Sequence, residues 1–253
     1  MSERRVRAGW GLLALAVVSP LVWGQDKEKP PVPQIIVAAP LAIPANTPVK
    51  LQLRGLKLDE LTEVRIGAGD LKAEITSKGK TPVPQNYEAK RVGDTQAELK
   101  VTLPAETPAG KLSLTAVSPA GMSAPYDVLV APADELIDEK EPNDGFKKGQ
   151  PIPLGKTVVG TIHEARNVDV FEIRGEAGQQ LVATVTAARV GSLLDPVLTL
   201  YDARGQVIAG SDDKDARDPR LEVTLKASGV YYLSLQDAND SGGPHFAYLL
   251  KVQ

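Results

Sequence analysis

Ser228-Gly229-Val230-Tyr231-Tyr232-Leu233-Ser234-Leu235 is a turn followed by strict alternation. Tyr231, Leu233 and Leu235 fall on one face and Tyr232 and Ser234 on the other, the two-residue period of a half-buried β-strand. The same period recurs in Phe246, Tyr248, Leu250 and Val252 at the C-terminus, and in Leu198 and Leu200 interleaved with Thr199 and Tyr201. Gly205 turns the chain into Val207–Ala209, and Phe171 and Ile173 share a face beyond Asp169. Leu181 to Ala188 is apolar on both faces, as a strand covered on both sides would be. About eight strands fit between Glu141 and Val252, which suits a jelly-roll-like sandwich.

The preceding hundred or so residues have the same grammar in shorter pieces. Val49, Leu51 and Leu53 alternate up to Gly55, and Val64 and Ile66 stop at Gly67. Leu99, Val101 and Leu103 alternate before Pro104, and Leu112, Leu114 and Ala116 after Gly110. With 20 prolines and 22 glycines spread along the chain, the fold class is all-β: two tandem sandwiches, the N-terminal one immunoglobulin-like. The expected boundaries are 35–130 and 141–253, joined by an acidic stretch at 131–140.

At the N-terminus, Arg4, Arg5 and Arg7 precede an apolar run from Trp10 to Trp23 that ends at Gly24. This reads as a secretory leader over 1–24, followed by a proline-rich linker at 25–34, and places the protein outside the cytoplasm: periplasmic, cell-surface or extracellular. No membrane insertion is expected after cleavage, since the apolar run is short for a bilayer span and is broken by Ser19-Pro20. Cleavage would take the chain from 29 basic and 32 acidic residues to 26 and 31, a mild acidity that offers no footprint for nucleic acid. There is no cysteine, so an exported chain of this kind relies on burial or metal for stability.

The second half resembles the bacterial pre-peptidase C-terminal domain. The resemblance is carried, in order, by Glu141-Pro142-Asn143-Asp144, Gly160-Thr161-Ile162 and Val168-Asp169-Val170-Phe171. It continues through Ala177-Gly178-Gln179, Leu194-Asp195-Pro196, Leu200-Tyr201-Asp202 with Gly205, Asp212-Asp213 and Ser228-Gly229-Val230-Tyr231-Tyr232. The resemblance implies a jelly-roll accessory module without a peptidase active site, in some members a binder of an insoluble polymer. The first half is similar to the immunoglobulin-like TIG domain in Leu51-Gln52-Leu53-Arg54-Gly55, Val64-Arg65-Ile66-Gly67, Val101 to Leu103, Pro108-Ala109-Gly110 and Gly121.

Glu139, Glu141, Asn143 and Asp144 put four oxygen-bearing side chains within six residues, the donor type that calcium takes. The resemblance implies that this segment, the aspartate matching Asp169 and the position of Thr161 contribute to a calcium site. Asn167 stands where an aspartate is common in that pattern, and Arg166 beside it brings a positive charge. The other reading of the segment is a solvated linker closed by an Asx turn. Asp212-Asp213-Lys214-Asp215 lacks the glycine and glutamate of an EF-hand loop and reads as a polar connection.

Catalytic readings find little support. Asp240-Ser241-Gly242 has no second triplet to face it, and neither His163 nor His245 belongs to a nucleophile motif. Tyr201 and Tyr232 lie opposite the core parity of their strands and are the candidate binding surface. The readings left open are a calcium-stabilised binding module for an extracellular protein or polysaccharide, a structural spacer of the cell envelope with no ligand of its own, and, as a minority case, a hydrolase.

Overall fold

A computed structural model describes residues 30–68, 71–85, 87–214 and 216–253; the leader at 1–24 and residues 25–29 of the linker lie outside them. The first sandwich consists of β1 (Gln34–Ala39), β2 (Ala42–Pro44), β3 (Val49–Leu56), β4 (Glu63–Ile66) and β5 (Leu71–Lys80). It continues with β6 (Thr95–Val101), β7 (Gly110–Ser118), β8 (Gly121–Met122) and β9 (Tyr126–Ala131). Hydrogen bonding runs β1-β3-β6-β5-β4-β7-β9-β2, with β8 on β7.

The two layers are joined by β5, which pairs with β4 through Leu71–Ala73 and then with β6 from Glu74 to Lys80. Leu51, Leu53, Val64, Leu99, Leu114 and Ala116 are all fully buried, as their alternation requires. The ten-residue β5 is not among the strands read from sequence, because its inward Leu71, Ala73 and Ile75 are half-buried and its other face carries Lys72, Glu74 and Lys78.

The second sandwich holds β10 (Leu136–Asp138), β11 (Gln150–Pro151), β12 (Thr157–Thr161), β13 (Val168–Gly175) and β14 (Gln180–Thr186). After these come β15 (Pro196–Asp202), β16 (Val207–Ser211), β17 (Arg220–Thr224), β18 (Gly229–Asp237) and β19 (Ala247–Val252). They form two five-stranded sheets, β10-β12-β19-β14-β17 facing β11-β13-β18-β15-β16. Phe171, Leu181, Leu198, Leu233, Tyr248 and Leu250 meet between them. The stretch 131–140, read as a connection, contributes β10, which runs parallel to β12.

Both faces of β19 are buried. Tyr248 and Leu250 enter the core, while Ala247 and Leu249 pack outward against Leu41 and Ala42 of the first sandwich. Two-residue periodicity reports only one of these faces. The contact is fixed by Tyr126, whose hydroxyl accepts from Ala38 N at 3.2 Å and donates to Val190 O at 2.7 Å. Among the described residues, no helix is long and apolar enough to cross a membrane.

Candidate metal centre

The site forms where the entry to the second sandwich crosses its two sheets. Glu139 leaves β10 with its amide still bonded to Val159 O at 3.0 Å. The chain then turns so that Asp144 bridges Asp169 and Asn143 O accepts from Val170 N at 3.2 Å, laying the segment along the start of β13. Tyr248 comes from the opposite sheet. Its partner on β12 is Gly160, where an added Cβ would lie 2.4 Å from the phenol ring, so the absence of a side chain at Gly160 leaves room for the ring.

Three carboxylates converge here: one oxygen each from Glu139, Glu141 and Asp169 lie within 4.8 Å of one another. The Tyr248 hydroxyl is 2.8 Å from Glu139 Oε1 and 2.7 Å from Asp169 Oδ2. It has one hydrogen to donate, so the second short contact calls for a proton on a carboxyl group. Burial, reinforced by the neighbouring Glu139, pushes the Asp169 carboxyl up to about 9. Burial, with Asp169 and Glu139 beside it, also holds the Tyr248 phenol well above its usual range.

The remaining contacts hold the carboxylates in place. Glu139 Oε2 accepts from Thr161 N at 2.8 Å, and Asn143 Nδ2 donates to Glu139 Oε1 at 3.0 Å. Glu141 accepts from Asn143 N at 2.9 Å and sits 2.6 Å from His163 Nδ1. Asn143, Asn167 and Asp169 are buried, yet Asn143 Oδ1, Asn167 Oδ1 and Asp169 Oδ1 have no partner. Buried oxygens without donors are costly, and two of these belong to the carboxylate cluster or to a residue held against it: Asp169 Oδ1, and the Oδ1 of Asn143, which is bonded to Glu139 and Glu141. This suits a hard cation that takes oxygen ligands.

Of the six residues read as metal ligands, Glu139, Glu141 and Asp169 come together as carboxylates, and Asn143, which donates to Glu139 and Glu141, carries a buried oxygen with no partner. Asp144 is adjacent but turned to Asn167, whose Nδ2 donates to its Oδ1 at 2.9 Å. Thr161 acts through its backbone N–H. Arg166 is exposed and is not among the groups that set the Asp169 ionisation. The residue that sequence reasoning missed is Tyr248, read only as a core aromatic. The signal was available, because a tyrosine in an otherwise apolar central strand must find a partner for its hydroxyl.

Tyr201 and Tyr232 are half-buried neighbours rather than a bare platform. Phe146 stacks on Tyr232, with centroids 4.8 Å apart and planes at 22°, and tilts against Tyr201 at 5.0 Å. Other buried polar groups have structural duties. Asp237 accepts from the amides of Asp195, Asn239 and Ser241, ordering the Asp240-Ser241-Gly242 loop. Buried Asp218 accepts from Ala187 N and Ala188 N. His245 is buried and held neutral, its pKa lowered to about 4 by burial and by the Arg54 charge.

No family model matches the chain. A probable subtilase-type serine protease of Deinococcus radiodurans is 34% identical over 168 residues, which is 58% of this chain and 23% of the relative. The chain therefore spans about a quarter of the length of that curated relative. Among solved structures, the pre-peptidase C-terminal domain of a Bacillus anthracis collagenase aligns over its whole length and 44% of this chain, at 18% identity and a TM-score of 0.36. The Aeromonas hydrophila periplasmic inhibitor of g-type lysozyme aligns over 96% of its length and 42% of this chain, at 18% identity and a TM-score of 0.33. A Bacteroides ovatus protein of a mixed-linkage glucan utilisation locus aligns over 81% of this chain and 74% of its own, at 10% identity and a TM-score of 0.29.

Proposed function

We propose that this chain is an exported, non-catalytic binding module for an extracellular protein or polysaccharide, whose second sandwich is stabilised by a calcium ion. The observation that supports the metal reading is the convergence of one oxygen each of Glu139, Glu141 and Asp169 within 4.8 Å, with Asp169 Oδ1 and the Oδ1 of the adjoining Asn143 buried and without donors. Glu139, Glu141, Asp169 and the Asn143 amide oxygen would hold the ion, and its charge would let Asp169 ionise in a site that otherwise keeps it protonated. The likeness to part of a longer probable protease supports an accessory role, in which this segment binds or positions rather than cleaves. Of the catalytic candidates, Asp240-Ser241-Gly242 lies in a loop ordered by Asp237, His245 is buried and held neutral, and His163 sits against Glu141.

Thermal unfolding in excess chelator and then in millimolar calcium tests the metal, because a ligand bound only by the folded state raises stability by mass action. A calcium-dependent rise in melting temperature that disappears in Asp169→Asn is expected. Equal melting with and without calcium would remove the ion from the proposal. The spacer reading is favoured by a different observation, the apolar packing of Leu41 and Ala42 on Ala247 and Leu249, which ties the two sandwiches together.

A further inference from the structure

A cavity of 440 Å³ opens beside the join of the two sandwiches, and both contribute to its wall. From the first come Tyr87 and Arg91, just before and within the helical turn Ala89–Val92. From the second come Asp195, Arg217 and Asn239, which lie in three separate connections between strands. Tyr87 is half-buried, and Arg91, Arg217 and Asn239 are exposed. Among the described residues, the Tyr87 hydroxyl, the Arg91 guanidinium and the Asn239 side-chain amide have no hydrogen-bonding or ionic partner. Arg217 makes a single long contact, 3.9 Å from Asp195. Polar groups from both sandwiches thus meet at one cavity with their hydrogen-bonding capacity unspent.

Charges around the cavity balance. Arg91 and Arg217 are matched by Asp195 and by Asp240, next to Asn239. Lys90 pairs with Glu88 at 2.8 Å, and Arg189 with Asp218 at 3.3 Å. Behind the wall, the Val92 carbonyl accepts from Arg54 Nε at 2.7 Å, and Asp94 offsets the Arg54 charge. Asp237 is enclosed by three amides. With no excess of either sign, the lining does not select an ionic partner. It offers donors from the arginines, acceptors from Asp195, and both from Tyr87 and Asn239. A sugar hydroxyl also donates and accepts, and tyrosine adds an apolar body with a polar tip. The volume falls within the range of about 300–1,000 Å³ typical of small-ligand sites. An added polypeptide strand fits less well: Gly191 covers the Ile36 carbonyl of β1, a Cβ there lying 2.9 Å from that oxygen, so the strand is closed to pairing at this point.

We infer that this cavity binds a short neutral segment of an extracellular polysaccharide, held by Tyr87 and Arg91 from one sandwich and by Asn239, Arg217 and Asp195 from the other. Because the wall is shared, the site is complete only when the sandwiches are docked, and a bound sugar holds them together. This rests on the binding-module reading and narrows its partner to a polysaccharide; the calcium-dependent melting above tests the module's metal separately.

The test applies the full chain, in calcium, to an array of defined neutral and uronate-containing oligosaccharides with random nonapeptides alongside, and then titrates the retained probes by calorimetry. Retention of neutral oligosaccharides is expected. Their affinity should fall at least tenfold in each of Tyr87→Ala, Arg91→Ala and Asn239→Ala, and the amides of 89–92 and 188–193 should gain protection from hydrogen exchange when sugar is bound. These side chains have no partners to lose, so the variants should melt as the parent does, and unchanged melting is checked alongside. Neutral-sugar binding indifferent to Tyr87→Ala and Asn239→Ala would overturn the site and leave a polysaccharide-binding module standing. Retention of uronates alone would overturn the neutral assignment, and retention of peptides alone would overturn the sugar while keeping a binding module with a protein partner. An empty array would overturn the inference and count against the binding module itself.

Discussion

The Tyr248 hydroxyl lies 2.7 Å from Asp169 Oδ2, a contact made across the interior of the second sandwich from one sheet to the other. Tyr248→Phe keeps the ring that fills the space over Gly160 and deletes only the hydroxyl, leaving Glu139 and Asp169 without their shared partner. Loss of about 1–3 kcal/mol is expected in chelator, the cost of an unsatisfied buried polar group. Chemical denaturation measures it. The calcium-dependent rise should survive in Tyr248→Phe, because the carboxylates remain, and vanish in Asp169→Asn.

The metal-free protein should lose stability as pH rises. Asp169 keeps its proton in the folded state up to about 9, whereas an unfolded aspartate ionises near about 3.9. Between those values the folded state binds more protons than the unfolded one, so the Asp169 contribution is full below about pH 4 and is lost progressively toward pH 9. A bound cation favours the ionised form and so displaces the proton. The calcium-dependent rise in melting temperature should accordingly be larger at about pH 8 than at about pH 5. Melting curves in chelator and in calcium across that range check both statements, and Asp169→Asn should flatten the chelator series.

What could be read from sequence follows from which signals are local. The core of each sheet is written in two-residue alternation, and Leu51, Leu53, Leu198, Leu200, Leu233 and Leu235 are buried where that parity puts them. Glu139, Glu141 and Asn143 stand close together in the chain, so their oxygen-rich chemistry was legible, and Asp169 came from the family resemblance. Tyr248 was not legible as part of the site, since its partners lie 79 and 109 residues away and its own strand advertises only a core position. The second buried face of β19 was hidden for a similar reason: Ala247 and Leu249 are covered by the first sandwich, a relation that no local period encodes. Phe146 lies in an irregular segment, where periodicity gives no direction, and so its stacking on Tyr232 could not be foreseen.

Acid should weaken the molecule at a different place. His245 stays neutral in the folded state until about pH 4, because burial and the Arg54 charge both oppose protonation, while an unfolded histidine takes up its proton near about 6.5. Its contribution is therefore full above about pH 6.5 and is lost as pH falls toward 4. His245→Phe keeps a ring, removes the titration and also removes Nδ1, which has no partner. Its denaturation midpoint should fall less than the parent's between pH 6.5 and 4; the carboxylate cluster is common to both proteins and cancels in the comparison.

The join between the sandwiches should be sensitive to a single methyl group. Gly191 has φ +92, and a Cβ there would lie 2.8 Å from the Tyr126 hydroxyl and 2.9 Å from Ile36 O, so alanine must both strain its own backbone and push the two sandwiches apart. Tyr126→Phe is milder: it deletes the hydroxyl that joins Ala38 N to Val190 O, at a cost of about 1–3 kcal/mol for the groups left unpaired. The parent should unfold in one calorimetric transition, because Leu41, Ala42, Ala247 and Leu249 are buried only when both sandwiches are folded and docked. Gly191→Ala should split that transition in two and broaden the small-angle scattering profile, with Tyr126→Phe falling between the two. A single unchanged transition in Gly191→Ala would show that the contact does not couple the sandwiches, and would weaken the spacer reading that depends on their holding a fixed relation.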